Sequence, residues 1–234
     1  RELFLIHSAN FIACHQFNFI SKYDILKNAE KGATFLLNTP YETDDIWDRI
    51  PQNVQEQIIS KELKFYVINA SKVARETGMG SRINTILQTC FFAIANIMTK
   101  EEAIHKIKAA IKKSYSSKGE SVILKNYEAV DQTIENLKQI DYSKYQVGTL
   151  GNDKLISASA PDFVRNVLAK ILSFEGDDLP VSAFPVDGTY PVSTTQYEKR
   201  NIADMAPVWD EDLCSQCGKC FLICPHAAIR CKVY

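Results

Sequence analysis

The sequence predicts an α/β fold: a parallel sheet with flanking helices, followed by an extended linker and a small cysteine-bearing end. Three observations carry that expectation. Short apolar runs alternate with segments of helical periodicity in the N-terminal part, prolines crowd residues 180–191, and five of the seven cysteines fall between Cys214 and Cys231. Strands separated by helices are the pattern of βαβ units, whose strands run parallel.

The elements follow in order. FIAC (11–14) is a short apolar strand. Residues 19–29 place Ile20, Tyr23, Leu26 and Lys27 at helical spacing. TFLLN (34–38) is a buried-type strand ahead of Pro40, and a helix over 51–61 starts on Pro51 and sets Val54, Ile58 and Ile59 on one face. FYVIN (65–69) is the third strand. Three helices follow, over 83–98, 100–115 and 121–140. Thr99 with Glu102 makes a capping box for the middle one, whose apolar stripe is Ile104, Ile107 and Ile111. These helices are expected to cover the sheet and complete the first domain near residue 150.

A further helix over 161–174 carries Phe163, Val164, Val167, Leu168, Ile171 and Leu172. Beyond it, Pro180, Pro185 and Pro191 with Gly176 and Gly188 forbid regular helix and favour an extended connector. IRCKVY (229–234) reads as a strand.

Composition excludes several classes. The chain of 234 residues is 46% hydrophobic and 24% charged, an ordinary globular balance. Lys plus Arg is 27 against 28 Asp plus Glu, a net charge of −1, so the basic excess of a nucleic-acid or anionic-membrane surface is missing. No apolar run approaches the ~18 residues of a membrane span. The clustering of cysteines argues against a secreted disulfide framework and for metal in a reducing compartment, hence a cytoplasmic location. The start at Arg1, running straight into LFLI, reads as a cut edge.

The strongest motif is CSQCGKCFLICPH. Cys214, Cys217, Cys220 and Cys224 stand at x2, x2 and x3 spacing, with Pro225 after the last. Three thiolates at x2 spacing can wrap one corner of a 4Fe–4S cubane, while the fourth, set off before proline, reaches a neighbouring cluster. Phe221, Leu222 and Ile223 supply apolar cover. The alternative is a structural zinc site, which needs four tetrahedral ligands, usually as two separated pairs. Cys231 is read as a non-ligand.

Weaker signals lie upstream. Cys14 beside His15 has the residue types of an activated thiol, but neighbours at a strand end point apart, so a buried Cys and a loop His are expected. TGMGSR (77–82) can either cradle an anion on backbone N–H groups or form a tight turn. His7, His105 and His226 make no metal constellation.

Taken together, ANFIACHQFNFISKYDILKNAEKGATFLLNTPY, KFYVINASKVARETGMGSRINTILQTCFFA and TTQYEKRNIADMAPVWDEDLCSQCGKCFLICPHAAIR resemble the pyruvate:ferredoxin (flavodoxin) oxidoreductases, over essentially the whole chain. The resemblance implies an internal slice of a longer enzyme. Residues 1–174 would be an N-terminally truncated gamma-type, Rossmann-like domain, 175–205 a linker named for EKR, and 206–234 the start of a ferredoxin-like α+β domain. It further implies oxidative decarboxylation of pyruvate on thiamine diphosphate, acetyl transfer to coenzyme A, and one-electron transfer through 4Fe–4S clusters to ferredoxin or flavodoxin. Cys214, Cys217 and Cys220 would bind one cluster and Cys224 the next, with a second cysteine run downstream. TGMGSR becomes a candidate coenzyme A contact. Homodimers are the family's habit, and an organelle of an anaerobic eukaryote is an alternative location. No residue here earns a catalytic label. An electron-carrier module without chemistry of its own is the competing reading.

Overall fold

The computed structural model describes residues 6–153, 155–198, 202–203 and 206–231. The chain divides into two compact units, Arg1–Arg200 and Asn201–Tyr234.

The first unit is built on a four-stranded sheet in the order β1-β2-β3-β4. Strands β1 (Ala9–Cys14), β2 (Ala29–Asn38) and β3 (Lys64–Ile68) are parallel, and β4 (Lys138–Gln139) joins β3 antiparallel. The register pairs Ile12 with Phe35 and Phe35 with Phe65. β2 is central, and residues 33–37 are buried without interruption, as a strand covered on both faces must be.

Alternation splits that burial between two cores. Phe35 and Leu37 face a cluster with Cys14, Leu26, Trp47, Val54, Ile58 and Phe65. Leu36 faces the other side, with Ile68, Val73, Ile86, Leu87 and Cys90. The Phe35 and Phe65 rings stack at 5.3 Å between centroids. Fully burying one such ring contributes about 1.5–3 kcal/mol, so this pair anchors the sheet's first face.

Helices α1 (Phe19–Lys22), α2 (Ile46–Arg49) and α3 (Gln52–Ser60) serve the first core. The helix expected over 19–29 is therefore a single turn: Tyr23 is already extended and Ala29 opens β2. In α3, Pro51 is the N-cap rather than the first helical residue.

Helices α4 (Ala70–Glu76) and α5 (Asn84–Ile94) line the second core. FYVIN ends as strand at Ile68, because Asn69 leaves the sheet to cap α4, its Oδ1 accepting from Lys72 N at 2.9 Å. α5 stops at Ile94, short of the expected 98, and Asn96 has a φ of 54°. Helix α6 (Lys100–Tyr115) starts as the sequence predicts. Thr99 Oγ1 accepts from Glu102 N at 3.2 Å, though the Glu102 carboxylate turns instead to Lys106 at 2.7 Å. Helix α7 (Glu120–Asn136) stops before the predicted 140. Its tail becomes β4, because Leu137 turns extended and Ile140 N bonds Phe65 O at 2.9 Å, filling the open edge of β3.

After β4 the chain is tied back to the first core. The buried Gln55 side chain accepts from Gly148 N at 2.6 Å and donates to Trp47 O and Ile50 O at 2.6 and 3.1 Å. Trp47 Nε1 donates to Gln146 O, and Gln52 N to Leu150 O, both at 2.8 Å. The helix expected over 161–174 is present but wider than an α-helix at its centre. Residues Val164–Leu168 form a π-helical stretch before α8 (Ala169–Leu172). The linker is not purely extended: short 3-10 turns occupy Gly176–Asp178, Val181–Ala183 and Thr194–Tyr197.

Candidate metal centre

The second unit contains the cysteine run. Asp210 Oδ1 accepts from Asp212 N and Leu213 N at 3.1 and 3.2 Å, closing a turn that delivers Cys214. Gln216 and Gly218 then take positive φ values of 55° and 73°. Left-handed residues among ordinary ones turn successive N–H groups to one side, the backbone arrangement that holds anions and iron–sulfur sites. A Cβ at Gly218 would also lie 2.9 Å from the Phe221 ring, which would have to shift.

Gly218 also caps the short helix α9 (Lys219–Ile223), which carries Cys220. Cys224 ends that helix in an extended conformation, the setting that a following proline imposes. Cys214 and Cys224 are half-buried, while Cys217, Cys220 and Cys231 are exposed. The strand expected over 229–234 is not seen in the described residues 229–231, and 232–234 lie outside them.

Hydrogen-bond donors favour the thiolate form at Cys214, Cys217 and Cys224. The Trp209 indole and the Gln216 N–H hold the Cys214 thiol below its ordinary range. Lys219 N–H and the Ser215 side chain do the same for Cys217. At Cys224 the donors are the N–H groups of Ile229, His226 and Ala228, the last 3.3 Å from Sγ. At each of these cysteines the N–H two residues on is among the groups that lower the thiol, and at Cys224 the Ala228 N–H is bonded to sulfur. Thiolate is the metal-binding form of cysteine, and N–H groups on sulfur are the supporting contacts of iron–sulfur ligands. The donor set thus fits a 4Fe–4S cluster. Among the described residues, no three His, Cys, Asp or Glu side chains converge as ligands of a single ion. In a cubane each thiolate binds a different iron, so its ligands stand farther apart than those of one ion.

The other sequence candidates resolve differently. Cys14 is buried and donates to Gln16 O at 3.1 Å, and burial pushes its thiol up to about 12. His15 is exposed beyond the strand end, so the pair is not a working dyad. In TGMGSR, Gly78 N bonds Arg75 O at 3.2 Å and Met79 N bonds Ala74 O at 2.7 Å. Those bonds close the C-terminus of α4 with Gly78 left-handed at 68°. Two of the N–H groups expected to cradle an anion are therefore spent on α4. Gln55 is the residue that sequence reading missed. A polar residue on the α3 stripe was its only signal.

Comparison with known families assigns the chain in three consecutive pieces. Residues 2–136, more than half of the chain, match the pyruvate ferredoxin/flavodoxin oxidoreductase model. Residues 151–203 match EKR, a domain of unknown function, and 207–230 match a 4Fe-4S binding domain. The class is thus a segment matching an oxidoreductase family, followed by a stretch matching an iron–sulfur module. The pyruvate-flavodoxin oxidoreductase of Rhodospirillum rubrum is 53% identical over 99% of this chain and 19% of its own length. That of Nostoc sp. is 51% identical over 100% of this chain and 20% of its own. The pyruvate:ferredoxin oxidoreductase of Moorella thermoacetica is 43% identical over 98% and 20%. The chain belongs to the pyruvate ferredoxin/flavodoxin oxidoreductase family, and it spans about one fifth of the length of these relatives. Among the described residues, no helix is long and apolar enough to cross a membrane.

Proposed function

We propose that this chain is a segment of an enzyme that oxidatively decarboxylates pyruvate to acetyl-CoA and delivers the electrons singly to ferredoxin or flavodoxin. Within it, Cys214, Cys217 and Cys220 hold one 4Fe–4S cluster and Cys224 ligates a second. The observation that carries this reading is the cysteine run itself, on a loop turned by left-handed Gln216 and Gly218 and with Ala228 N–H bonded to Cys224 Sγ at 3.3 Å, inside a stretch matching a 4Fe-4S binding domain. A bound cluster supplies reversible one-electron storage.

The chain's own residues have definable tasks. Gln216 and Gly218 shape the loop around the first three sulfurs, Pro225 turns Cys224 away at the end of α9, and the sheet unit is scaffold. Gln55 and Trp47 fasten the strap that leads into the linker. Thiamine diphosphate and the pyruvate contacts belong to other parts of the full-length enzyme. Coenzyme A is assigned to the gamma-type domain, without individual residues. A cytoplasmic homodimer is the setting that the family resemblance supports.

The test is to replace Cys217 and Cys224 separately by Ala in the full-length enzyme and follow its clusters by iron, acid-labile sulfide and electron paramagnetic resonance. Loss of two different clusters is expected. Identical spectroscopic losses in both variants would defeat the shared-ligand assignment.

A further inference from the structure

The peptide unit joining Ala227 to Ala228 is gripped at both ends. Its N–H, on Ala228, donates to Cys224 Sγ at 3.3 Å. Its carbonyl, on Ala227, accepts from Arg230 Nε at 3.1 Å. Ala227 N also bonds Cys224 O at 3.2 Å, and Ala227 holds a φ of 50°. An alanine in the left-handed region is strained by roughly 1 kcal/mol or more and persists where surrounding contacts over-determine it. Here those contacts are the bonds just named. The sulfur, one peptide plane and the guanidinium form a single chain.

We propose that Arg230 is a positioning residue for the cluster that Cys224 ligates, and that it raises that cluster's reduction potential through the Ala227–Ala228 peptide. The inference rests on the reading of Cys224 as a cluster ligand. Reduction adds one electron to the cluster and its sulfurs, so an N–H dipole aimed at a ligand sulfur stabilises the reduced form more than the oxidised form. A hydrogen bond accepted at the carbonyl end of a peptide polarises it and strengthens the donor at the other end. It also fixes the plane, so the N–H cannot swing away from sulfur. Arginine suits the task because its charge is permanent and the planar guanidinium fixes the direction of Nε–H. Arg230 is exposed and buries no core surface, so its replacement leaves the fold in place.

The experiment is a redox titration of the full-length enzyme, monitored by electron paramagnetic resonance, for wild type, Arg230→Met and Arg230→Lys. Proton hyperfine spectra in H2O and D2O are recorded alongside it. Arg230→Met is expected to move one midpoint to a more negative potential, in the same cluster whose signal Cys224→Ser alters. The exchangeable-proton coupling at that cluster weakens with it. Arg230→Lys, which keeps the charge and a donor for the carbonyl, moves both less. An unchanged midpoint in Arg230→Met overturns the proposal. So does a shifted midpoint with an unchanged proton coupling, which assigns the effect to charge alone. If Cys224→Ser alters the cluster that Cys217→Ala destroys, the ligand assignment itself falls, and that failure is distinguishable from the first two.

Discussion

Cys90, in the sheet unit, and Cys217, in the second unit, are the same side chain in opposite circumstances. Cys90 lies fully buried among Leu36, Ile86 and Leu87, and burial pushes its thiol up to about 12. Cys217 is exposed, and backbone and serine donors hold its thiol below the ordinary range. A cysteine packed into a core behaves as a small hydrophobe, whereas one on an exposed loop with its thiol lowered is available for chemistry as the thiolate. The number of cysteines in a chain therefore says little until each has been placed.

The largest expected effect that sharpens this contrast is on cluster content. Cys217→Ala should remove a cluster outright, while Cys90→Ala should leave the iron content at the wild-type value. Iron and sulfide analysis of the purified full-length variants checks both. Equal iron loss in the two would break the distinction.

Next in size come the packing effects in the sheet unit. Phe35→Ala should destabilise the protein by about 3–5 kcal/mol, since it empties the centre of the first core and forfeits the Phe65 stack. Gln55→Leu should cost about 2 kcal/mol, because Gly148 N–H and two carbonyls lose a buried partner. Denaturant unfolding of this chain measures both.

The remaining effect depends on pH and is confined to the alkaline range. The folded chain keeps the Cys14 and Cys90 protons up to about 12, against an ordinary value of 9.0. Between those values the unfolded chain binds fewer protons than the folded one, so stability falls as pH rises from about 9 toward about 12. Cys90→Val should flatten that alkaline decline in unfolding midpoints. At neutral pH, alkylation of the metal-free chain should label Cys214, Cys217 and Cys224 and spare Cys14 and Cys90.

What was legible in the sequence follows the same division. The parallel strands could be read because short strand-like runs such as TFLLN (34–38) stand between segments of helical spacing. The cysteine run stood out because its spacing is local. The misses are places where tertiary structure outweighed local pattern. LKQI continues the helical periodicity of α7, yet Lys138 and Gln139 are recruited as strand because β3 offers an unpaired edge. The 19–29 stretch has helical spacing, yet β2 needs Ala29. The Ala227 turn and Arg230's grip on it carry no periodicity at all, and only the folded backbone brings them together.

The antiparallel pairing of β4 with β3 also has a consequence for biosynthesis. Val67 meets Lys138 in the sheet, so the outer edge of β3 leaves the ribosome long before the residues that close it. Until then, a strand made of KFYVI presents free N–H and C=O groups, a template for pairing with any neighbouring nascent chain. Slower synthesis between the two strands prolongs that exposure. The yield of folded protein should therefore depend on translation speed across α5, α6 and α7, although those helices lie far along the chain from the cysteine run.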